Sequence, residues 1–175
     1  MTAGEGTRTR TLQLVRHAKS SWTDPSLPDL DRPLSARGER AAVALAEHLA
    51  RGDKRPDVVV CSPAQRARQT LAALQRTLGR GVGVRIEPIV YGGAPDELLE
   101  VLRGLPPTAG TAMVIGHNPT IQDLALLLEG GGDRDELGRL RAKFPTAALA
   151  TFVVPDPWDR LTAGSARLAS LWTPR

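Results

Sequence analysis

The chain has 175 residues, within the usual range for one domain, and a net charge of +4 that comes from 20 arginines and 3 lysines against 19 acidic residues. The arginines are scattered and aromatic residues make up only 3% of the chain, which excludes the stacking surface of a single-strand binder and argues against nucleic acid as a partner. No apolar run reaches the roughly 18 residues of a membrane span, and the first ten residues lack the apolar segment of a secretory signal, so we expect a cytoplasmic protein with no membrane partner.

The first part of the chain predicts a tail, a strand and a loop. Residues 1–10 are polar and lack periodicity, so we expect a flexible tail followed by one domain over residues 11–175. Residues 11–15 alternate in polarity, which predicts a short strand just before His17. The segment 24–33 is rich in proline and aspartate and predicts a loop over the end of this strand.

Two helices follow, with a buried strand between them. Ser35 is the expected N-cap of the first helix, and the β-branched run at 58–61 predicts the strand. The sequence Ser62-Pro63-Ala64-Gln65 has the spacing of a capping box with proline at the first helical position, so we expect the second helix to begin there. The predicted buried stripes are Ala41, Ala42, Leu45, Ala46 and Leu49 on the first helix and Ala67, Leu71, Leu74 and Leu78 on the second.

The rest of the chain continues the alternation of strands and helices. We expect strands within 81–89 and at 111–115, 147–154 and 166–172, and a short helix at 95–105. Asn118 and Pro119 predict a helix start and the glycines at 130–132 its end, whereas 133–143 is either a surface loop or a short exposed helix. These elements predict a three-layer α/β fold, with a mainly parallel central sheet, helices on both faces, and ligands bound at the carboxyl ends of the strands.

Two histidines and an arginine are expected at that edge, because His17, Arg66 and His117 each come just after a predicted strand. A neutral imidazole is a nucleophile toward phosphorus when one ring nitrogen is free and a hydrogen bond holds the other. Arginine forks and helix N-termini suit the charged oxygens of a phosphoryl group in transfer. The pattern indicates a phosphoryl-transfer site that uses no cofactor or metal and that binds inorganic phosphate or similar oxyanions.

The ordered motifs resemble those of the histidine phosphatase superfamily, which is phosphoglycerate-mutase-like, and most closely its short SixA-type phosphohistidine phosphatases. The matching segments are Leu14-Val15-Arg16-His17, Asp31-Arg32-Pro33-Leu34-Ser35, Ser62-Pro63 with Arg66-Ala67 and Gln69-Thr70, and Gly116-His117-Asn118-Pro119. The resemblance implies that His17 is the phosphorylated nucleophile, that Arg16 and Arg66 bind the phosphoryl group, and that His117 also contacts it. Expected substrate contacts are Arg32, Ser20 and Asn118, and the expected substrate is a phosphorylated protein that carries phosphohistidine.

Two departures from the family pattern bear on the substrate. Ala18 stands where glycine usually follows the first histidine. Longer members bring a carboxylic acid near the leaving oxygen from the segment after the third strand, where Glu87, Asp96 and Glu97 offer no clear counterpart. An alcohol leaving group needs a proton far more than imidazole does, which favours a phosphoramidate substrate unless an acid of the loop, Asp24, Asp29 or Asp31, serves instead.

Other kinds of site fit less well. A tyrosine-phosphatase motif that begins at Cys61 would need arginine at position 67, where alanine stands, so Cys61 is expected to serve in packing. Neither motif histidine has a helical partner at metal-ligand spacing, and Arg68 is expected to be solvated or salt-bridged. Two alternatives to a phosphohistidine phosphatase stay open: a phosphomonoesterase for a small metabolite, and a catalytically silent phosphate-binding module.

Overall fold

The computed structural model describes residues 9–174, which form one seven-stranded sheet flanked by helices. The strands are β1 (Arg10–Arg16), β2 (Val58–Cys61), β3 (Gly83–Ile86), β4 (Thr111–Gly116), β5 (Glu129–Gly132), β6 (Leu149–Val154) and β7 (Ala166–Trp172). The helices are α1 (Ala36–Arg51), α2 (Gln65–Leu78), α3 (Ile89–Gly92), α4 (Pro95–Arg103), α5 (Thr120–Leu128) and α6 (Arg134–Ala142), with 3-10 turns at Asp29–Asp31 and Trp158–Arg160. The predicted tail at 1–10 lies outside the described residues except for its last two, and Arg10 already belongs to β1.

The sheet has the strand order β3-β2-β4-β1-β6-β7-β5. Every neighbouring pair is parallel except the two pairs that β6 makes, with β1 and with β7. The prediction of a mainly parallel sheet is therefore confirmed. The strands β1, β2 and β4 are neighbours at its centre, so their carboxyl ends lie side by side.

Alternate residues of the central strands pack into two separate cores. Val58 and Val60 of β2 lie in the core with α4, α5 and α6, whereas Val59 and Cys61 lie in the core with α1 and α2. The predicted stripe of α2 is at most 5% exposed, and each buried leucine contributes roughly 1.5–3 kcal/mol to stability. The three-layer arrangement is confirmed. Of the helices within residues 9–174, none is both long and apolar enough to cross a membrane.

The predicted start of α2, with Pro63 as its first residue, is wrong by two residues. The helix begins at Gln65, and Ser62 is not its N-cap, because the Ser62 N–H donates to Ile115 O at 3.0 Å and still belongs to the sheet edge. The Ser62 hydroxyl instead accepts the N–H of Ala64 at 3.1 Å. The hydroxyl oxygen also lies 2.7 Å from Nε2 of His117, at the carboxyl edge of the sheet.

The region from Asn118 to residue 143 also differs in detail from the prediction. The helix α5 begins at Thr120 after a cis Asn118–Pro119 peptide, and the Asn118 amide donates to Phe144 O instead of accepting from the helix start. The residues after α5 form β5, a strand that the sequence did not predict, and β5 pairs with β7. A side chain on Gly130 would meet Gly164 O at 1.9 Å, so glycine permits this close pairing. The segment left open at 133–143 contains the helix α6.

Candidate active site

The sheet register brings three strand ends together. Arg16 pairs with Gly116 across β1 and β4, and Cys61 pairs with Ile115 across β2 and β4. The residues that come next, His17, His117 and Ser62, therefore meet at the carboxyl edge, and the centroids of the two imidazole rings are 4.9 Å apart. The predicted convergence of the two histidines is observed.

The partners of His17 fix which ring nitrogen is free. Nδ1 lies 2.7 Å from the carbonyl oxygen of Ala18, which can only accept, so Nδ1 carries the proton. Nε2 accepts from Nε of Arg66 at 3.3 Å and keeps its lone pair. The pKa of His17 is lowered to about 4, mainly by burial and also by the charge of Arg66, against the opposing effect of the hydrogen bond with Ala18. At neutral pH His17 is an uncharged imidazole with Nε2 available as a nucleophile.

Both ring nitrogens of His117 also have hydrogen-bond partners, which determine its tautomer. Its Nδ1 lies 3.3 Å from Nη2 of Arg66, which can only donate, and its Nε2 lies 2.7 Å from Oγ of Ser62. Nε2 therefore donates to Ser62, and the Nδ1 lone pair faces the guanidinium. Burial lowers the pKa of His117 to about 3. Sequence reasoning missed Ser62 as the partner of His117, since their contact depends on β2 and β4 being neighbours.

Arg66 lies between the histidines and is only 5% exposed. One edge of its guanidinium, Nε and Nη2, faces His17 and His117, and the other edge, Nη1 and Nη2, contacts Asp29. Thr70, one turn along α2, donates its hydroxyl to Arg66 O and accepts the N–H of Ala18 at 3.0 Å. Thr70 thus joins the arginine motif to the first histidine motif, a link that the sequence analysis did not find.

Arg16 and Asn118 share one anchor, the carbonyl oxygen of Phe144. Arg16 donates to it from Nη1 at 3.0 Å, and Asn118 donates from its amide at 3.1 Å. Within residues 9–174, Nε of Arg16 and Oδ1 of Asn118 are buried without a hydrogen-bond partner. The charge of Arg16 also lowers the pKa of His17, although by less than burial and the charge of Arg66 do.

Ser20 and Arg32 lie together beside the site. Nη1 of Arg32 donates to Oγ of Ser20 at 2.7 Å, and its guanidinium lies 3.6 Å from the ring of Trp22, which is largely exposed. The same guanidinium donates from Nη2 to Oδ1 of Asp29 at 2.6 Å. A single carboxylate therefore lies between Arg32 and Arg66. The three nitrogens of the predicted contact Arg32 donate to Asp29, to Ser20 and to the Ser21 carbonyl, and its charge contributes to the lowered pKa of His17.

Asp29, in the turn Asp29–Asp31 of the predicted loop, is the carboxylate that reaches the site. It also accepts from the hydroxyl of Tyr91 at 2.9 Å, and the Tyr91 ring stands edge-on to His117 with centroids 5.5 Å apart. Three of the other acids considered from the sequence are engaged elsewhere: Glu87 pairs with Arg85, Glu97 accepts the N–H of Ala94, and Asp24 accepts from Ser26. The sequence analysis weighed Asp29 only as an acid, and Tyr91 not at all.

The remaining candidates stand apart from the histidines. Cys61 is fully buried, and burial raises the pKa of its thiol to about 12, in line with a role in packing. Arg68 is exposed on the surface of α2. Among residues 9–174, no group of three or more His, Cys, Asp or Glu side chains is placed to hold a metal ion.

Known proteins share this sequence and this fold. The sequence profile of the histidine phosphatase superfamily (branch 1) matches residues 12–89. The uncharacterized protein Rv1276c of Mycobacterium tuberculosis (strain ATCC 25618 / H37Rv) is 36% identical over 163 residues, which is 92% of this chain and 100% of that protein. A structure from Nakamurella multipartitia, described as a candidate phosphohistidine phosphatase SixA, is 34% identical with a TM-score of 0.80, over 95% of this chain and 96% of that one.

A further structure extends the likeness of fold. The protein histidine phosphatase SixA complexed with tungstate is 22% identical with a TM-score of 0.76, over 94% of this chain and 97% of that one. The predicted phosphoglycerate-mutase-like α/β fold is thereby confirmed. A similarity of this extent to Rv1276c and to the Nakamurella protein shows the family: the chain belongs to the histidine phosphatase superfamily and carries the site of a phosphatase.

Proposed function

We propose that the protein hydrolyses protein phosphohistidine through a phosphorylated His17, without a cofactor. The observation that carries this proposal is the Nε2 lone pair of His17, which lies among buried groups and faces Nε of Arg66, whose Nη2 in turn faces His117. An anion beside Nε2 would accept from the Nε and Nη2 edge of Arg66. It would also offer an acceptor to the buried Nε of Arg16, which has no partner within residues 9–174 and costs about 1–3 kcal/mol unpaired.

The reaction proceeds in two displacements at phosphorus. In the first, Nε2 of His17 forms a bond to phosphorus while the bond from phosphorus to the substrate nitrogen breaks. That nitrogen keeps the electron pair, and because the other ring nitrogen of the substrate carries a proton, the leaving group is a neutral imidazole. In the second, a water oxygen attacks phosphorus, the bond to Nε2 breaks, and inorganic phosphate leaves while the water proton passes to solvent or phosphate. Arg16 and Arg66 offset the negative charge that spreads over the three phosphoryl oxygens in each step.

The state of Asp29 favours a nitrogen leaving group over an alcohol. Although desolvation acts to raise it, the pKa of Asp29 is held well below its usual range by hydrogen bonds from Arg32, Tyr91 and Arg66. Asp29 is therefore ionised at neutral pH and has no proton to give to an alcohol of pKa near 15.7, about nine units above imidazole. That difference corresponds to about 12 kcal/mol of proton affinity, part of which is felt in the transition state.

The relatives support the same substrate class and ligand class. The Nakamurella relative is described as a candidate phosphohistidine phosphatase, and the SixA structure at 22% identity holds tungstate, an oxyanion. We extend both to this chain as proposals: a phosphorylated protein as partner, and tungstate or phosphate bound among Arg16, His17, Arg66 and His117. Arg32, Ser20 and Asn118 remain proposed substrate contacts.

Purified protein tests the proposal through its covalent intermediate and its choice of substrate. Incubation with ³²P-labelled phosphohistidine protein and rapid acid-free quenching should trap label on wild type but not on His17→Ala. The control is His48→Ala, which should also trap label, because His48 is a half-buried residue of α1 that stacks on Trp172 outside the site. Turnover of the phosphohistidine protein should exceed turnover of small phosphate esters across the pH range.

Two results would contradict the proposal in different ways. Faster hydrolysis of small esters, with label still trapped on His17, would point to a phosphomonoesterase for a small metabolite. Absence of label and of phosphate release, with tungstate still bound, would identify a phosphate-binding module that lacks catalysis.

A further inference from the structure

Asp29 accepts hydrogen bonds from the guanidinium edge of Arg66 that Nη1 and Nη2 form. Its backbone carbonyl accepts from Nη1 of Arg66 at 2.6 Å, and its Oδ2 accepts from Nη2 at 2.9 Å. On the adjacent edge, Nε lies 3.3 Å from Nε2 of His17, and Nη2 lies 3.3 Å from Nδ1 of His117. Asp29 thus holds one edge of the guanidinium, while Nε and Nη2 face the free ring nitrogens of the two histidines.

The Asp29 carboxylate is itself fixed by donors from three residues, Arg32 in the same loop and Tyr91 and Arg66 from distant parts of the chain. Arg32 donates to Oδ1 from Nε at 3.0 Å and from Nη2 at 2.6 Å, and Tyr91 donates to Oδ2 at 2.9 Å. Arg66 completes the set from α2. A carboxylate that bridges the 3-10 turn, α2 and α3 in this way cannot shift without breaking charge-assisted hydrogen bonds, which are the strongest kind in proteins.

We propose that Asp29 is a positioning residue, whose carbonyl and carboxylate orient Arg66 so that its Nε and Nη2 receive the phosphoryl group at His17. This inference rests on the proposed function of Arg66 as a phosphate-binding residue. Asp29 does not contact the phosphoryl group in this arrangement; it acts through Arg66. An arginine side chain is long and flexible, and holding its planar fork in place before the anion arrives removes part of the entropic cost of binding.

Asp29 could also have the opposite effect on binding, because its carboxylate carries the same sign of charge as the substrate. If Asp29 were an internal anion that blocks Arg66, the entering phosphoryl group would have to displace it. Removing the charge would then strengthen oxyanion binding, whereas removing a positioning residue weakens it. The two roles therefore predict opposite changes in one measurement.

The experiment compares Asp29→Asn, Asp29→Glu and the matched control Asp31→Asn, which changes an exposed acid two residues away whose carboxylate makes no hydrogen bond or ion pair with Arg66. Tungstate affinity is measured by calorimetry, and kcat and KM are measured with a small phosphoramidate. We expect Asp29→Asn to weaken tungstate binding and raise KM about tenfold or more, which is about 1.4 kcal/mol, with a smaller change in kcat. Asp31→Asn should match wild type, and Asp29→Glu should recover part of the loss.

The outcomes separate this inference from the proposed function. Unchanged or tighter tungstate binding by Asp29→Asn would overturn the positioning role, as would an Asp29→Glu variant that folds by its thermal transition yet binds no better than Asp29→Asn. The calorimetric measurement does not depend on turnover. If wild type traps no labelled phosphate on His17, the proposed function fails while the tungstate comparison still decides whether Asp29 positions Arg66.

Discussion

Replacing Arg66 by alanine tests the proposed phosphate-binding arrangement most directly. The side chain is 5% exposed, and its Nε and Nη2 face the place where the phosphoryl group would sit. Two charge-assisted hydrogen bonds of about 1.5–3 kcal/mol each would be lost, roughly 3–6 kcal/mol in all. At 1.4 kcal/mol for each factor of ten, Arg66→Ala should lower tungstate affinity and kcat/KM by roughly 10² to 10⁴.

The matched control for this variant lies on the same helix. Arg68 is two residues farther along α2 and exposed, so Arg68→Ala removes the same charge without touching the histidines. Tungstate affinity by calorimetry, kcat/KM and the thermal transition are measured for both variants and wild type. Equal losses in Arg66→Ala and Arg68→Ala would show that general positive charge, not the placed guanidinium, governs binding. A loss below tenfold in a folded Arg66→Ala would refute the assigned contacts.

Two further predictions concern pH and packing. Because the folded pKa of His17 is lowered to about 4 and that of His117 to about 3, about nine-tenths of His17 should stay neutral at pH 5, against about 3% for an ordinary histidine. The rate of His17 phosphorylation, corrected for titration of the substrate, should therefore hold from pH 7 to 5; a fall centred near 6.5 would contradict it. A side chain on Gly38 would meet Lys19 O at 2.0 Å, so Gly38→Ala should cost about 1–3 kcal/mol of unfolding free energy in urea melts, and an unchanged midpoint would disprove the close approach.

Local sequence patterns were enough to predict the layers of the fold. The stripe Ala67, Leu71, Leu74 and Leu78 is buried as expected, because helical periodicity reports which side of a helix meets the core. The β-branched run at 58–61 forms a strand with both faces covered. Capping patterns were less dependable at two positions. The side chain of Ser62 hydrogen-bonds with His117 and that of Asn118 with the Phe144 carbonyl, and neither residue is the N-cap of a helix.

The sequence by itself determined that two histidines and an arginine follow strands, and the family resemblance gave them proposed roles. Only the tertiary structure decided the partners that tune them: Ser62 on His117, and Asp29 on Arg66. These pairs are separated by 55 and 37 residues along the chain. Side-chain periodicity reports burial within one element, whereas contacts across such separations follow from strand order, register and the path of the Asp29–Asp31 turn.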